Sequence, residues 1–272
     1  MYINYYFKLV SKVLYEYKGD SMGKEGFENE KLLIKALDNK KFNELTENLK
    51  NMINTVTNNQ INENDFIQVI QIAGTNKTDM SVMINHNKYN ISVKMGKNNS
   101  VHQEPLEEFI SFLESEFNID DNLKNDIRFF IWGDGTLDGT GEITSRMNIS
   151  QLKQKYPEKL NNIKLFFHFH KTELITRFLM NGSNSDIPAE FIYHGTAEEG
   201  TIVKLTDAIN WLSDDKHEKT RANVPVGGLS FQAWNRNIKN NKPERYRGVV
   251  QIKWTSLNKD IKKIAEVNNY DK

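Results

Sequence analysis

Cysteine is absent from all 272 residues, which excludes disulfides, thiolate metal sites and a cysteine nucleophile. No apolar run reaches the roughly 20 residues that a membrane-spanning helix needs. Even 164–180 is interrupted by charges and histidines. The opening residues, Met1-Tyr2-Ile3-Asn4-Tyr5-Tyr6, carry neither the basic start nor the apolar core of a secretion signal. A chain with no membrane partner and a cytoplasmic location is the expectation. Net charge is also missing, since 36 Lys/Arg balance 36 Asp/Glu. That argues at first against a nucleic-acid partner.

The distribution of charge says otherwise. Residues 221–263 hold ten Lys/Arg and two Asp/Glu, a local balance of +8, whereas 104–126 hold one Lys and eight acids, a balance of −7. A strongly basic C-terminal third is the footprint expected where phosphates dock, although a charged surface without a partner would look the same. The hydrophobic content of 38% and charged content of 26% are ordinary for a globular chain. The length allows one large domain or a domain with an attached lobe.

Periodicity divides the chain into elements. Residues 2–17 read as a first helix, and Leu32, Leu33, Ile34, Ala36 and Leu37 mark a helical pattern. Another helix is expected over 43–57, with Leu45, Leu49, Met52, Ile53 and Val56 on one face. Residues 66–72 alternate as a strand, and 73–78 form a turn that delivers Asp79. Two alternating runs, 79–84 and 89–94, joined by Asn85-His86-Asn87-Lys88, read as an antiparallel hairpin. A loop over 96–100 precedes a helix carrying Leu106, Phe109, Ile110, Leu113 and Phe117, with Glu104 at its start. The compact apolar run 127–132 reads as a buried strand.

Beyond it lie a glycine-rich loop at 133–142, helices at 150–160 and 161–180, a short strand at 191–195 and a short helix at 205–212. Three strand-like runs follow within 224–254. The expectation is an α/β (α+β) protein with a catalytic core over 1–132 and a helical and β-hairpin region over 133–272, packed as one continuous domain. No internal repeat is present.

In the hairpin, Asp79 opens one strand and Lys94 closes the other, so carboxylate and ammonium converge at one end of the sheet. With Glu104, such a set could hold a divalent cation and orient a water for phosphodiester hydrolysis. Hard Mg²⁺ wants oxygen ligands: Asp79, Glu104 and the backbone carbonyl of Val93 qualify, and Gln103 could substitute. Lys94 could stabilise charge on the phosphate. The plainer reading has Asp79 capping a turn and Lys94 as a solvated strand end.

His102 is a candidate phosphate contact or a surface hydrogen-bonder. His168 and His170, at i and i+2, are poorly placed to share a helix face, so a zinc site there would need further ligands nearby. Asp134, Asp138 and Glu142 lack the spacing of an EF-hand and fit a glycine-rich turn. For base reading the best stretch is 227–237. Gln232, Asn235, Arg236 and Asn237 offer the donors that pair with base edges, while Arg245, Arg247 and Lys253 offer phosphate contacts. Lys97, Asn98 and Ser100 add polar groups to the loop beyond Lys94. Phe231, Trp234 and Trp254 are expected in the core.

The order helix–strand–strand–strand–helix–strand, with Asp79 opening the second strand and Ser92-Val93-Lys94 ending the third, resembles the PD-(D/E)XK nuclease superfamily, and most closely its type II restriction endonucleases. The resemblance spans 25–132 and departs from the family pattern at two places. Ser92 stands where an acid is usual, and Asn76-Lys77-Thr78 replaces the proline before Asp79. Some members carry Ser at that slot and recruit a Glu from the following helix, which is similar to Ser92, Lys94 and Glu104. The Arg-rich reading motif of those members does not follow Lys94.

The resemblance implies a restriction-endonuclease-like core with a central mixed sheet flanked by helices, and a C-terminal DNA-recognition lobe. It implies Mg²⁺-dependent cleavage of double-stranded DNA at a short sequence, with Mn²⁺ able to substitute, catalysed by Asp79, Lys94, Glu104 and Ser92. A metal-proximal acid on the first core helix would be Glu28 or Glu25. A homodimer or higher homo-oligomer and a cognate DNA methyltransferase are the implied partners. The alternatives are a repair, resolvase or RNA-cleaving nuclease of the same superfamily, or a non-catalytic DNA-binding module.

Overall fold

Asn85 and His86 hold left-handed backbone angles, φ 47° and 69°, the pair of positive values that a type I′ hairpin turn requires. In the computed structural model they join β3 (Met80–Ile84) to β4 (Asn87–Lys94), with Ile84 opposite Asn87 and Met80 opposite Ile91. The connection is shorter than its polarity suggests. Asn87 and Lys88 already sit in the ladder, because pairing engages their backbone groups whatever their side chains prefer. The structure describes residues 21–74, 76–96, 100–183, 186–220, 222–236, 244–268 and 270. The helix expected over 2–17 lies outside these residues.

The chain divides into two compact units, one of residues 1–98, 186–204 and 261–272, the other of 99–185 and 205–260. A division at residue 132 does not appear: Trp132 ends a helix inside the second unit. Each unit has its own sheet. In the first, β1 (Lys40–Lys41), β2 (Phe66–Gln71), β3, β4, β6 (Phe191–Gly195) and β7 (Gly200–Lys204) lie in that order. The β4–β6 pair is parallel and the others are antiparallel, so the sheet is mixed.

Two-residue alternation sorts this sheet's side chains. Met80, Val82 and Ile84 of β3 and Ile91 and Val93 of β4 join one buried cluster with Leu33 and Leu37 of α1 (Ser21–Leu37) and Leu49, Met52, Ile53 and Val56 of α2 (Glu47–Thr57). Thr46 caps α2 by accepting the Leu49 N–H, and Asn58 ends it in the left-handed conformation. Ser81, Asn90, Ser92 and Lys94 occupy the intervening positions and so belong to the opposite face.

The second unit carries an antiparallel sheet in the order β5 (Ser100–Pro105), β10 (Val249–Lys253), β9 (Leu229–Ala233), β8 (Val224–Val226). Its helices are α3 (Leu106–Phe117), α4 (Asp121–Trp132), α5 (Ile149–Lys155), α6 (Pro157–Phe169), α7 (Lys171–Thr176), which runs into a π-helical turn at Arg177–Asn181, and α8 (Leu205–Ser213). A last helix, α9, spans Leu257–Asn268. Phe109, Phe130, Phe167 and Phe231 pack around one another, with ring centroids 4.9–6.3 Å apart. Among the described residues no helix is long and apolar enough to cross a membrane.

Beyond the added strands β1 and β7 and the division of 161–180 among α6, α7 and the π-helical turn, two elements differ in kind from the sequence expectation. Residues 127–132 are the second half of α4, not a strand. Asp120 caps that helix by accepting the Leu123 N–H at 2.8 Å, and Gly133 closes it at φ 66°. Leu123, Ile127, Phe130 and Ile131 recur at helical spacing, which the apolar run alone conceals. The strand that follows β4 in the first sheet is β6 instead. The other difference is β5, a polar strand at 100–105 that places Glu104 opposite Val250 and moves the helix start to Leu106.

Asp120→Ala removes the α4 cap and is expected to lower stability by about 1 kcal/mol, read as a shift of the urea midpoint with unchanged slope. No shift would show that the cap contributes nothing.

Candidate functional site

The β3 ladder begins at Met80, while β4 runs on to Lys94. At that sheet end the Val93 N–H is met by a side chain rather than a strand: it donates to Asp79 Oδ2 at 2.7 Å. The same oxygen accepts the Ser92 hydroxyl at 3.2 Å and the Lys94 ammonium at 3.2 Å. Lys94 Nζ also donates to the Val93 carbonyl at 2.8 Å. The Asp79 N–H donates to the Ile91 carbonyl at 2.9 Å, and Thr78, buried just before it, donates its hydroxyl to the Ile187 carbonyl at 2.9 Å. Backbone and side chain of Asp79 are both fixed. Both charged side chains are half-buried, 21% exposed for Asp79 and 26% for Lys94.

Three donors on Oδ2 leave Oδ1 accepting no hydrogen bond from the described residues. That carboxylate oxygen and the Val93 main-chain carbonyl, on which the Lys94 ammonium now sits, are oxygen donors of the kind a hard divalent cation takes. These residues fit Mg²⁺ or Mn²⁺. On the neighbouring parallel strand His194 is in register with Lys94, and its Nε2 lies 3.0 Å from the Gly96 carbonyl. Sequence reading did not single out His194, because only the β4–β6 pairing brings it here.

Glu104 has a different surrounding. Its side chain is fully buried in the second unit, with Oε1 2.8 Å from His102 Nε2 and Oε2 2.6 Å from Arg177 Nη2. Arg177 Nε also reaches Oε1 at 3.4 Å, and its guanidinium lies over the Phe112 ring at 3.7 Å. Burial opposes the charge, but His102 and Arg177 together hold the Glu104 carboxyl below its ordinary 4.5. Both oxygens are therefore engaged by protein donors. His102, expected as a phosphate contact or a surface hydrogen-bonder, is a buried member of this triad, and nothing in the sequence links Arg177 to a residue 73 positions earlier.

The remaining candidates are scattered. Glu28 is exposed and pairs with Lys31 at 3.0 Å, and Glu25 is exposed on the same helix. Gln103 is exposed and donates to Ser100 Oγ, which also accepts from Gln251, whose Oε1 in turn accepts from Gln232 at 2.7 Å. Gln232 thus sits in a chain of polar contacts across β9, β10 and β5. Lys253 is half-buried at the end of β10, and Arg245 is exposed beside Tyr246, donating to its hydroxyl at 3.0 Å. Lys97, Asn98 and Asn237 lie outside the described residues.

Three residues proposed for DNA contact are used by the fold. Arg236 donates to the Phe130 carbonyl through Nε and Nη2, at 3.2 and 2.7 Å, and burial pushes its guanidinium down to about 10. It packs so closely on Gly133 that a Cβ there would meet Arg236 Cδ at 2.9 Å. Arg247, 6% exposed, pairs with the fully buried Asp134 at 3.0 Å and donates to the carbonyls of Gly139 and Trp132. Burial would raise the Asp134 carboxyl, but hydrogen bonds from Thr136 and Arg247 hold it below its ordinary value. The acids of the glycine-rich loop serve that loop, as Asp138 does by accepting from Thr140. Asn235 is buried. Phe231 and Trp254 are fully buried as expected, and Trp234 is half-buried against Tyr246.

No protein-family model matches the sequence, and no curated protein matches it. A solved structure does: restriction endonuclease MspI in complex with its cognate DNA superposes with a TM-score of 0.55, covering 84% of this chain and 88% of that one at 12% identity. At that identity the likeness is one of fold. The chain has a restriction-endonuclease fold.

Arg177→Met leaves the Glu104 charge buried with one partner fewer and is expected to cost about 3–5 kcal/mol at neutral pH. Because the folded-state pKa of Glu104 is depressed, its ion-pair contribution is full above the unfolded value and is lost as pH falls through the folded value. The stability gap between wild type and Arg177→Met, measured by urea unfolding, should therefore narrow from pH 7 toward acid. A gap independent of pH would contradict the ion-paired assignment.

Proposed function

We propose that this chain is a Mg²⁺-dependent type II restriction endonuclease that hydrolyses phosphodiester bonds in double-stranded DNA at a short specific sequence. The observation that carries the reading is the Asp79–Ser92–Val93–Lys94 cluster at one sheet end, set in a fold shared with a nuclease solved on its cognate DNA. Asp79 Oδ1 and the Val93 carbonyl would hold the cation, with Mn²⁺ able to substitute. The bound ion supplies charge neutralisation at the scissile phosphate and a more acidic water.

The chain's own groups do the rest. Ser92 and the Val93 N–H hold the Asp79 carboxylate in one orientation. Lys94 places a positive charge where the pentavalent phosphate gains negative charge, and it can hold the attacking water close to that phosphate. The reading rests on these residues alone. A metal-binding role for Glu104 would require Arg177 to release it. Ser100, Gln232, Arg245 and Lys253 are the described polar residues proposed to meet DNA. A palindromic target would call for a homodimer, and a restriction role for a cognate methyltransferase.

Asp79→Asn and Lys94→Met should each cut plasmid DNA on the order of 10³-fold more slowly while still binding duplex in a mobility shift. EDTA should stop the wild type. Undiminished cutting by both variants would remove this site, whereas DNA binding by a wild type that never cuts would favour the non-catalytic reading. Glu104→Gln separates two roles: lost cutting with unchanged stability marks a metal ligand, and lost stability marks the ion-paired acid.

A further inference from the structure

His168 and His170 are poorly placed to share one ion, yet the fold gives His168 other company. His168 lies in the last turn of α6, and its Nδ1 is 3.6 Å from Glu218 Oε2. Asp215 opens a 3-10 turn, Asp215–His217, immediately before Glu218. Three residues per turn place Asp215 and Glu218 on the same side of that turn. One ligand atom from each of His168, Asp215 and Glu218 lies within 4.8 Å of the others. His170 is elsewhere, packed on the rings of Phe117 and Phe166 at 4.5 and 4.7 Å.

We propose that His168, Asp215 and Glu218 form a binding site for a borderline transition-metal cation of the Zn²⁺ type, tying α6 to the 215–218 turn. The donor set is one imidazole nitrogen and two carboxylate oxygens, which suits Zn²⁺ with water completing the shell and does not suit Mg²⁺. Ligands about 2.0–2.1 Å from a tetrahedral ion stand roughly 3.3–3.4 Å from one another. The His168–Glu218 pair is already near that spacing, and Asp215 needs only a side-chain rotation, being 74% exposed.

A cation already occupies part of the place. The ammonium of Lys171 sits directly on Asp215 Oδ1. Lys171 is therefore a built-in competitor: the metal gains Asp215 only by displacing it. This site lies wholly within the second unit and does not depend on the nuclease reading.

Isothermal titration of ZnCl₂ into the full, untagged chain tests the assignment. Wild type should bind one Zn²⁺ that His168→Ala weakens at least about tenfold. Lys171→Met should tighten binding, because Asp215 is then unopposed, and Asp79→Asn should leave this Zn²⁺ unaffected. The Lys171 result is the sharper one, since a variant that merely damaged the fold would not bind more tightly. No His168-dependent binding, or a Lys171→Met variant that binds equally or more weakly, would overturn the proposal.

Discussion

The parallel pairing of β4 with β6 is the constraint on which the rest of the chain depends. Antiparallel neighbours can be joined by two residues, as β3 and β4 are, but parallel strands need a crossover long enough to return the chain to its starting end. Here that crossover runs from Met95 to Glu190 and contains most of a second folded unit with its own sheet. The pairing completes a mixed sheet whose one face is apolar and whose strand ends can be polar. It also explains why His194, a hundred residues away in sequence, stands beside Lys94.

At the end of that sheet a local shortage draws the Asp79 cluster together. A strand that outruns its neighbour leaves a backbone donor with no ladder partner, and such donors must be satisfied. Asp79 does this for Val93, and the same carboxylate oxygen collects Ser92 and Lys94. A single acid is thereby oriented without any second acid nearby in the hairpin. Where an acid at position 92 would repel Asp79, the Ser92 hydroxyl donates to it. Glu104 is no simple replacement, because its carboxylate is engaged by the buried His102 and by the half-buried Arg177 rather than left open to a cation.

Much of this was legible in the residues, and the failures have physical causes. The hairpin, the convergence of Asp79 and Lys94, the helices at 21–37 and 47–57 and the C-terminal strands follow from two- and three-to-four-residue periodicity. The run 127–132 misled because a helix buried over most of its surface also shows continuous apolar residues, and its true signature, the Asp120 cap and the Gly133 stop, lies outside the run. Residues 100–105 misled in the opposite way. They are polar and owe their strand to β10, about 150 residues later. Local sequence also marked Arg236 and Arg247 as phosphate or base contacts, since both lie in a basic stretch. Whether an arginine meets a ligand or a helix end depends on what the fold brings to it, and here it brings the Phe130 carbonyl and Asp134.

The discontinuity of the first unit has a consequence for how the protein is made. A ribosome delivers β3 and β4 early, but β6 emerges only after about a hundred further residues, an interval of roughly 5–20 s at ordinary elongation rates of about 5–20 residues per second. Until then the polar strand end around Asp79 belongs to a sheet that lacks its parallel neighbour and its outer hairpin. The second unit waits as well, since β8, β9 and β10 come from the last quarter of the chain. A chain shorter than about 200 residues therefore has neither sheet complete, and the second sheet waits for β10. For a protein whose proposed substrate is DNA, the order of strands along the chain leaves the proposed site without its parallel neighbour until β6 (Phe191–Gly195) has been made.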